Sequence, residues 1–257
     1  MITSTSNGRV KTLIQWNKKA KARKEADIFI VEGSKMFMEA PEERIQEIYI
    51  AESFRADAVV GAKLQRCSYE VVTDEVFARI SDTQTPQGIL CVVKQYHYEL
   101  EQICKKEKPL LLLLEDIQDP GNLGTMFRTG EGAGIDGVIM TTGTADIYNP
   151  KTIRSTMGSI YRMPFLYTDN LLQTIKELQK QNITVYAAHL KADGFYDECN
   201  YDKGTAFLIG NEGNGLRDIT AKAADAYLKI PMKGQVESLN AAISASILMY
   251  EAARQRR

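Results

Sequence analysis

The sequence predicts two α/β domains, the second with a mainly parallel sheet of about six strands. Three observations support this prediction. The chain has 257 residues, 44% hydrophobic and 25% charged, which suffices for one large or two small globular cores. Short apolar runs alternate with helical patterns along both halves. In the second half these runs are continuously apolar, as expected for strands that helices cover on both faces.

The first block contains four predicted strands separated by helical segments. They are residues 28–31 (IFIV), 45–51 (IQEIYIA), 69–72 (YEVV) and 88–93 (GILCVV). Each run is short and rich in β-branched or aromatic residues, which favours a strand over a helix. A polar stretch from residue 94 to 109 follows. We therefore predict a first domain over residues 1–95, a linker over 96–108 and a second domain over 109–257.

The second block contains six predicted strands. They are residues 110–116, 137–141, 163–167, 183–188, 205–210 and 226–231. These runs are continuously apolar, as expected for strands that helices bury on both faces, so a mainly parallel sheet is predicted.

Composition excludes several classes of protein. The first 24 residues lack the apolar stretch of a signal peptide, and the longest aliphatic run, Leu110 to Leu114, is too short to cross a bilayer. A cytoplasmic location is therefore predicted. The four cysteines form no CxxC pair and only two histidines accompany them, so no metal site is predicted.

Positive charge is concentrated near the start of the chain, although the formal net charge is only -1. The candidate RNA-binding residues of this basic run are Lys18, Lys19, Lys21, Arg23 and Lys24. Such a run could follow a phosphate backbone. It could equally be a solvated helix face, and charge alone does not separate the two.

The stretch from residue 114 to 134 places polar residues after a strand, where open α/β sheets bind ligands. Asp119 closes the strand, and the next helix brings Arg128 about two turns beyond Asn122. An arginine near a helix start opposes the helix dipole, which argues against a role in helix stability. A ligand-binding role and a surface ion pair with Glu131 both remain open.

The stretch LIGNEGNGL, residues 208–216, resembles a phosphate-binding loop but lacks its essential features. Its glycines Gly210, Gly213 and Gly215 are spaced GxxGxG, and no Lys-Ser/Thr pair follows. We expect Gly210 and Gly213 to allow bare backbone to approach a flat ligand, with Glu212 supplying one negative charge. The alternative is a glycine-rich turn between a strand and a helix.

The stretch from residue 230 to 257 combines a loop with a helix that begins near Ser238. From Leu239 onward this helix is apolar on nearly every face, and such a helix must be covered on all sides. It could lie between its own sheet and another protomer, or inside the core of a monomer.

These three stretches together resemble the three motifs of the SpoU, or TrmH-like, branch of the SPOUT RNA methyltransferases. The matching residues are Asn122, Gly124 and Arg128 in the first motif, Gly210, Glu212 and Gly215 in the second, and IPMKGQVESLN in the third. The resemblance covers residues 109–257. The basic start and residues 29–40 resemble the substrate-binding domain of the family. Gly130 stands where many members have alanine.

The resemblance implies a deep trefoil knot in the second domain, an exception to the rule that chains do not thread their own loops. It implies a small ribosomal-protein-like α/β domain before it. The implied cofactor is S-adenosylmethionine, whose adenosine part the second stretch would hold. The implied cofactor-binding residues are Gly210, Ile230, Met232, Ser238, Leu239 and Asn240.

The implied reaction is transfer of a methyl group to a ribose 2'-hydroxyl of structured RNA. Ribosomal RNA is favoured, at a guanosine or another nucleotide, with tRNA as the alternative. Arg128 is the catalytic arginine by position. A guanidinium stays protonated in proteins, so we expect it to grip a phosphate and to stabilise the developing alkoxide. Glu212 and Asn122 are expected to hold Arg128, and Ser238 or Asn240 to orient the hydroxyl.

The resemblance also implies a homodimer in which Arg128 of one chain serves the cofactor of the other. Two other functions remain open at this point. One is an RNA-binding protein that has the fold without catalysis, and the other is a nucleotide-binding enzyme of the ordinary doubly wound type.

Overall fold

The computed structural model describes all residues, 1–257. They divide into two compact units. The first unit comprises Met1–Tyr96 and Asp146–Tyr161, and the second comprises His97–Ala145 and Arg162–Arg257. No helix of the structure has the length and apolar character needed to span a membrane.

The chain forms ten strands. They are β1 (Ile28–Glu32), β2 (Ile45–Ala51), β3 (Glu70–Val72), β4 (Ile89–Lys94), β5 (Leu110–Leu114), β6 (Gly137–Thr141), β7 (Phe165–Thr168), β8 (Thr184–Ala188), β9 (Thr205–Ile209) and β10 (Ala226–Leu228). All ten overlap strands predicted from the apolar runs. Those predictions are confirmed.

Eleven α-helices connect and cover the strands. They are α1 (Gly8–Lys18), α2 (Ala20–Ala26), α3 (Ser34–Glu39), α4 (Ala58–Leu64), α5 (Asp74–Ile80), α6 (Leu100–Ile103), α7 (Pro120–Ala133), α8 (Pro150–Thr156), α9 (Leu171–Lys180), α10 (Asp218–Ala221) and α11 (Ala241–Gln255).

The first unit is built on a four-stranded sheet in the order β1-β4-β2-β3. Strand β4 is antiparallel to both of its neighbours, whereas β2 and β3 are parallel. The core on one side of this sheet includes Val10 and Leu13 of α1 and Phe77 of α5. Burying these apolar side chains on the sheet holds α1 and α5 in place.

Residues 146–161 belong to the first unit, although they follow β6 in sequence. Asp146 forms an ion pair with the buried Arg23, at 2.5 Å. Tyr148 stacks on Phe29 of β1 with ring centroids 4.8 Å apart. The predicted domain boundaries at residues 95 and 109 do not place residues 146–161 in the first domain. Their contacts join residues more than a hundred positions apart, and the sequence pattern does not reveal such contacts.

The second unit is built on a six-stranded sheet in the order β10-β8-β9-β5-β6-β7. Every pairing in it is parallel. The central strands β5 and β9 are buried along their whole length, which explains why their sequences are continuously apolar. The prediction of a mainly parallel sheet of about six strands is confirmed. The carboxyl ends of these strands meet at one edge.

The final helix, α11, is covered on one side only. Its buried side includes Ala245, Leu248 and Met249 and packs against α7 and β9. On the other side Ile243 is 48% exposed and Tyr250 is 49% exposed. The interpretation that this helix lies wholly inside a monomer core is therefore wrong. That another protomer covers the exposed side of α11 stays a prediction.

Candidate active site

The loop after β9, residues 210–216, is a compact turn held by its own backbone. Asn211 and Gly215 pair through hydrogen bonds in both directions, of 3.1 and 2.9 Å. The Asn211 Oδ1 accepts from the backbone N–H groups of Gly213 and Asn214. Gly215 has φ +68°, a conformation that glycine adopts without steric cost.

Gly210 is required by the loop itself. A Cβ atom at this position would lie 2.3 Å from both the Gly215 carbonyl carbon and the Leu216 nitrogen. These are backbone atoms and cannot rotate away. Gly210 borders the cleft described below, but its lack of a side chain allows a close approach between two parts of the loop. The structure thus gives a second reason for glycine at this position, and the approach of bare backbone to a ligand stays a prediction.

Replacing Gly210 by alanine should deform this loop. We expect a loss of about 1–3 kcal/mol in the free energy of unfolding, the usual cost of overpacking. We also expect S-adenosylhomocysteine to bind at least about tenfold more weakly, because the cleft wall moves. Thermal unfolding and calorimetric titration would measure the two effects. Gly194→Ala is the control, since nothing lies within 4 Å of a Cβ there; equal behaviour of the two variants would contradict this account.

The far end of the loop is tied to the centre of the sheet by Glu115. This carboxylate follows β5 and is 1% exposed. It accepts hydrogen bonds from the Arg217 backbone N–H and Nε, both at 2.8 Å, and from the Thr220 hydroxyl at 2.5 Å. A buried carboxylate needs such partners, so Glu115 serves to fix the loop after β9.

A cleft of about 320 Å³ opens at the carboxyl ends of β8, β9 and β10. Among the predicted cofactor-binding residues, those that line it are Gly210, Ile230, Met232, Ser238 and Leu239. Asn240 does not line the cleft. The walls combine apolar side chains with loop backbone. This lining suits a flat, partly apolar group such as adenosine, and the residues present therefore fit the implied cofactor.

Glu212 is held by the start of α7. Its carboxylate accepts hydrogen bonds from the backbone N–H of Gln118 at 2.9 Å, from that of Asp119 at 3.1 Å and from Asn122 Nδ2 at 3.0 Å. Burial raises the pKa of Glu212, but the hydrogen bonds outweigh it and leave the pKa below its ordinary value. Glu212 is therefore ionised at neutral pH and fully engaged within its own chain.

Asn122 links Glu212 to the third stretch. Its Oδ1 accepts a hydrogen bond of 3.0 Å from Asn240 Nδ2. The Asn240 Oδ1 in turn accepts from the backbone N–H groups of Ala242 and Ile243 and caps α11. One hydrogen-bonded chain, Glu212–Asn122–Asn240, thus joins all three stretches singled out in the sequence.

Arg128 does not take part in the hydrogen-bonded chain Glu212–Asn122–Asn240. It lies exposed on α7 and forms no hydrogen bond or ion pair, and it does not line the cleft. The expectation that Glu212 and Asn122 hold Arg128 is wrong within one chain, because Glu212 is taken up by the start of α7. The alternative ion pair with Glu131 is also absent, since Glu131 pairs with Arg162.

The basic run of the first unit divides into exposed and buried residues. Lys18, Lys19, Lys21 and Lys24 are exposed. Arg23 is only 3% exposed and donates hydrogen bonds to the Trp16 carbonyl, at 2.5 Å, and to Asp146. The assignment of Arg23 as an RNA-binding residue is therefore corrected: its guanidinium points inward and joins α1 to residue 146.

Sequence reasoning missed several residues of this site. Gln118 and Asn211 shape the loops that hold Glu212, and His189, Lys229 and Glu237 line the cleft. Glu237 directly precedes the predicted Ser238, so its position in the third motif was an available signal. For His189, at the end of β8, the only signal was its place after a strand.

Comparison with known proteins identifies the two parts of the chain. Residues 109–250 match the SpoU rRNA Methylase family, and residues 7–91 match the MRM3-like substrate binding domain. The 23S rRNA (guanosine(2553)-2'-O)-methyltransferase RlmP of Bacillus subtilis (strain 168) is 34% identical over 253 residues, which cover 97% of each chain.

Solved structures share the whole architecture. The SpoU methyltransferase AviRb from Streptomyces viridochromogenes, in complex with the cofactor AdoMet, has a TM-score of 0.89 at 25% identity and covers 97% of this chain and 98% of its own. The AdoMet-bound rRNA methyltransferase from Sinorhizobium meliloti has a TM-score of 0.86 at 29% identity, with coverages of 98% and 97%. Together with the family match over residues 109–250, these likenesses show that the chain belongs to the SpoU rRNA methylase family.

Proposed function

We propose that this protein is an S-adenosylmethionine-dependent methyltransferase that modifies a ribose 2'-hydroxyl of ribosomal RNA. The observation that carries the proposal is the hydrogen-bonded chain Glu212–Asn122–Asn240 beside a cleft that suits adenosine. It joins the three stretches that the family shares. The relative from Bacillus subtilis, alike over nearly its full length, is named for this reaction on 23S rRNA.

The chemistry follows from the properties of the side chains. S-adenosylmethionine supplies the methyl group when it is bound. Arg128 is the free cation of α7 and stays protonated, so it binds a phosphate and stabilises the alkoxide that forms at the 2'-oxygen. Ser238 has no hydrogen-bond partner in the chain and lines the cleft, which suits it to orient the hydroxyl. Asn240 holds the start of α11 and acts by positioning.

Two observations support a homodimer with shared sites. The exposed side of α11 carries Ile243 and Tyr250, and burying such side chains stabilises an interface. Arg128 lacks a partner within its chain and lies outside that chain's cleft. We propose that a two-fold dimer that buries the exposed side of α11 brings Arg128 of one protomer to the cleft of the other. The proposal also includes the trefoil knot, for which the TM-score of 0.89 to a SpoU methyltransferase is the support, and a cytoplasmic location.

The experiment that tests the proposal maps 2'-O-methyl groups in RNA from cells with and without the gene. We expect one 23S rRNA nucleotide to lose its methyl group, and the guanosine that corresponds to position 2553 in the Bacillus subtilis relative's name is the first to check. Loss of a tRNA methyl group instead would assign the enzyme to tRNA. If no RNA loses a 2'-O-methyl group and the protein does not bind S-adenosylhomocysteine, the result would indicate a non-catalytic RNA-binding protein.

The exposed lysines of the first unit are proposed to supply part of the RNA affinity. Replacing Lys18, Lys19, Lys21 and Lys24 by glutamine should weaken RNA binding and flatten its dependence on salt, because fewer counterions are released. Filter binding at several salt concentrations would measure both. Replacing Lys176 and Lys180 of α9 is the control. An unchanged salt slope in the fourfold variant would show that this cluster is only a solvated face.

A further inference from the structure

The cleft is lined by four side chains that carry or can carry a charge: His189, Glu212, Lys229 and Glu237. Three of them are engaged within the protein. Glu212 accepts three hydrogen bonds from the start of α7. The His189 ring stacks on Tyr227 at 5.0 Å, and its Nδ1 accepts from the Lys191 backbone N–H.

The third engaged group is the Lys229 ammonium. It lies 5.4 Å from the centre of the Phe195 ring, in a cation–π contact. The Glu237 carboxylate differs from all three. It is exposed at the cleft and has no hydrogen bond and no ion pair. Glu237 is therefore the one charged side chain of the lining that has no hydrogen bond, ion pair or ring contact within the protein.

We propose that Glu237 makes the cleft prefer the cationic cofactor over the product that remains after methyl transfer. This inference rests on the proposed function. S-adenosylmethionine and S-adenosylhomocysteine share the adenosine and the amino-acid end. They differ in one methyl group and the positive charge of the sulfonium. The negative charge of Glu237 at the cleft therefore attracts the first more than the second.

The preference has a consequence for turnover. The charge that Glu237 attracts disappears when the methyl group leaves, so the product loses an interaction that the cofactor had. Product release and exchange for fresh cofactor are thereby favoured. Glu237 is a specificity residue in this account and takes no part in activating the hydroxyl.

The test measures the dissociation constants of both ligands by calorimetry, for the wild type and for Glu237→Gln, which keeps the shape and removes the charge. We expect S-adenosylmethionine to bind about fivefold more weakly, the effect of about 1 kcal/mol that an exposed ion pair can reach. S-adenosylhomocysteine should bind within about twofold of the wild type, since its sulfur is neutral. Glu107→Gln, which changes an exposed carboxylate outside the cleft, should change neither.

Salt provides a second readout that a change of shape would not move. Raising the ionic strength should reduce the wild-type preference for S-adenosylmethionine toward that of Glu237→Gln, because exposed charges are screened. An equal loss of affinity for both ligands in Glu237→Gln, or no change in either affinity, would overturn the proposal for Glu237. The assignment of the cofactor cleft would not be affected. A wild-type protein that binds neither ligand would overturn the proposed function as well.

Discussion

Arg128→Ala should lower the rate of methyl transfer by at least about a hundredfold, the usual cost of deleting one group that stabilises a developing oxyanion. Its affinity for S-adenosylhomocysteine should stay within about twofold of the wild type, because Arg128 is assigned to the phosphate and the 2'-oxygen of the RNA and not to the cofactor. The melting temperature should also be unchanged, since the side chain is exposed and unpaired. Single-turnover kinetics, calorimetry and thermal unfolding measure these three quantities.

Two further variants make the result specific. Arg128→Lys keeps the charge but loses the planar guanidinium, so we expect it to recover only part of the activity. Arg257→Ala removes another exposed arginine and should have no effect. A large loss of cofactor affinity in Arg128→Ala would place Arg128 in the cofactor site, contrary to our assignment. Normal activity would remove it from the mechanism.

Mixing two inactive variants, Arg128→Ala and the cofactor-blocking Gly210→Trp, should restore about a quarter of wild-type activity. If each site combines Arg128 of one protomer with the cleft of the other, a mixed dimer has one site with both defects and one with neither. Random exchange makes about half of the dimers mixed, and each has one working site of two. Activity is measured after the subunits have exchanged, with each variant alone as the baseline.

The control for the mixing experiment confirms that mixed dimers exist, for example by two affinity tags purified in succession. Mixed dimers without activity above the baselines would show that Arg128 acts within its own chain. A monomer in solution would give the same answer. Either result would exclude an active site shared between protomers, and the reaction would then take place within one chain.

The strands could be predicted because their signal is local. The run Leu110–Leu114 is apolar at every position and becomes a strand buried on both faces. The residues of the candidate cleft could also be predicted, because they lie within the short motifs of the sequence. Five of the six predicted cofactor-binding residues line the cleft. This agreement shows where they lie, and their role stays a prediction.

Partners distant in sequence could not be predicted. Arg23 looks like its lysine neighbours, and only the fold reveals that it pairs with Asp146, 123 positions away. The resemblance predicts that Glu212 holds Arg128. The Glu212 carboxylate instead accepts from Asn122 Nδ2 and from the backbone N–H groups of Gln118 and Asp119, and a backbone group leaves no mark in the sequence.

The pairing of β5 with β9 has a consequence for how the protein folds. It aligns Leu110 with Thr205, 95 positions apart, at the centre of the sheet. Closing so long a loop costs entropy before any contact compensates for it, and parallel sheets with such distant neighbours fold slowly. The bond from Gln118 to Glu212 spans the ends of these same two strands. The cofactor cleft is therefore expected to form only after these two distant strands have paired.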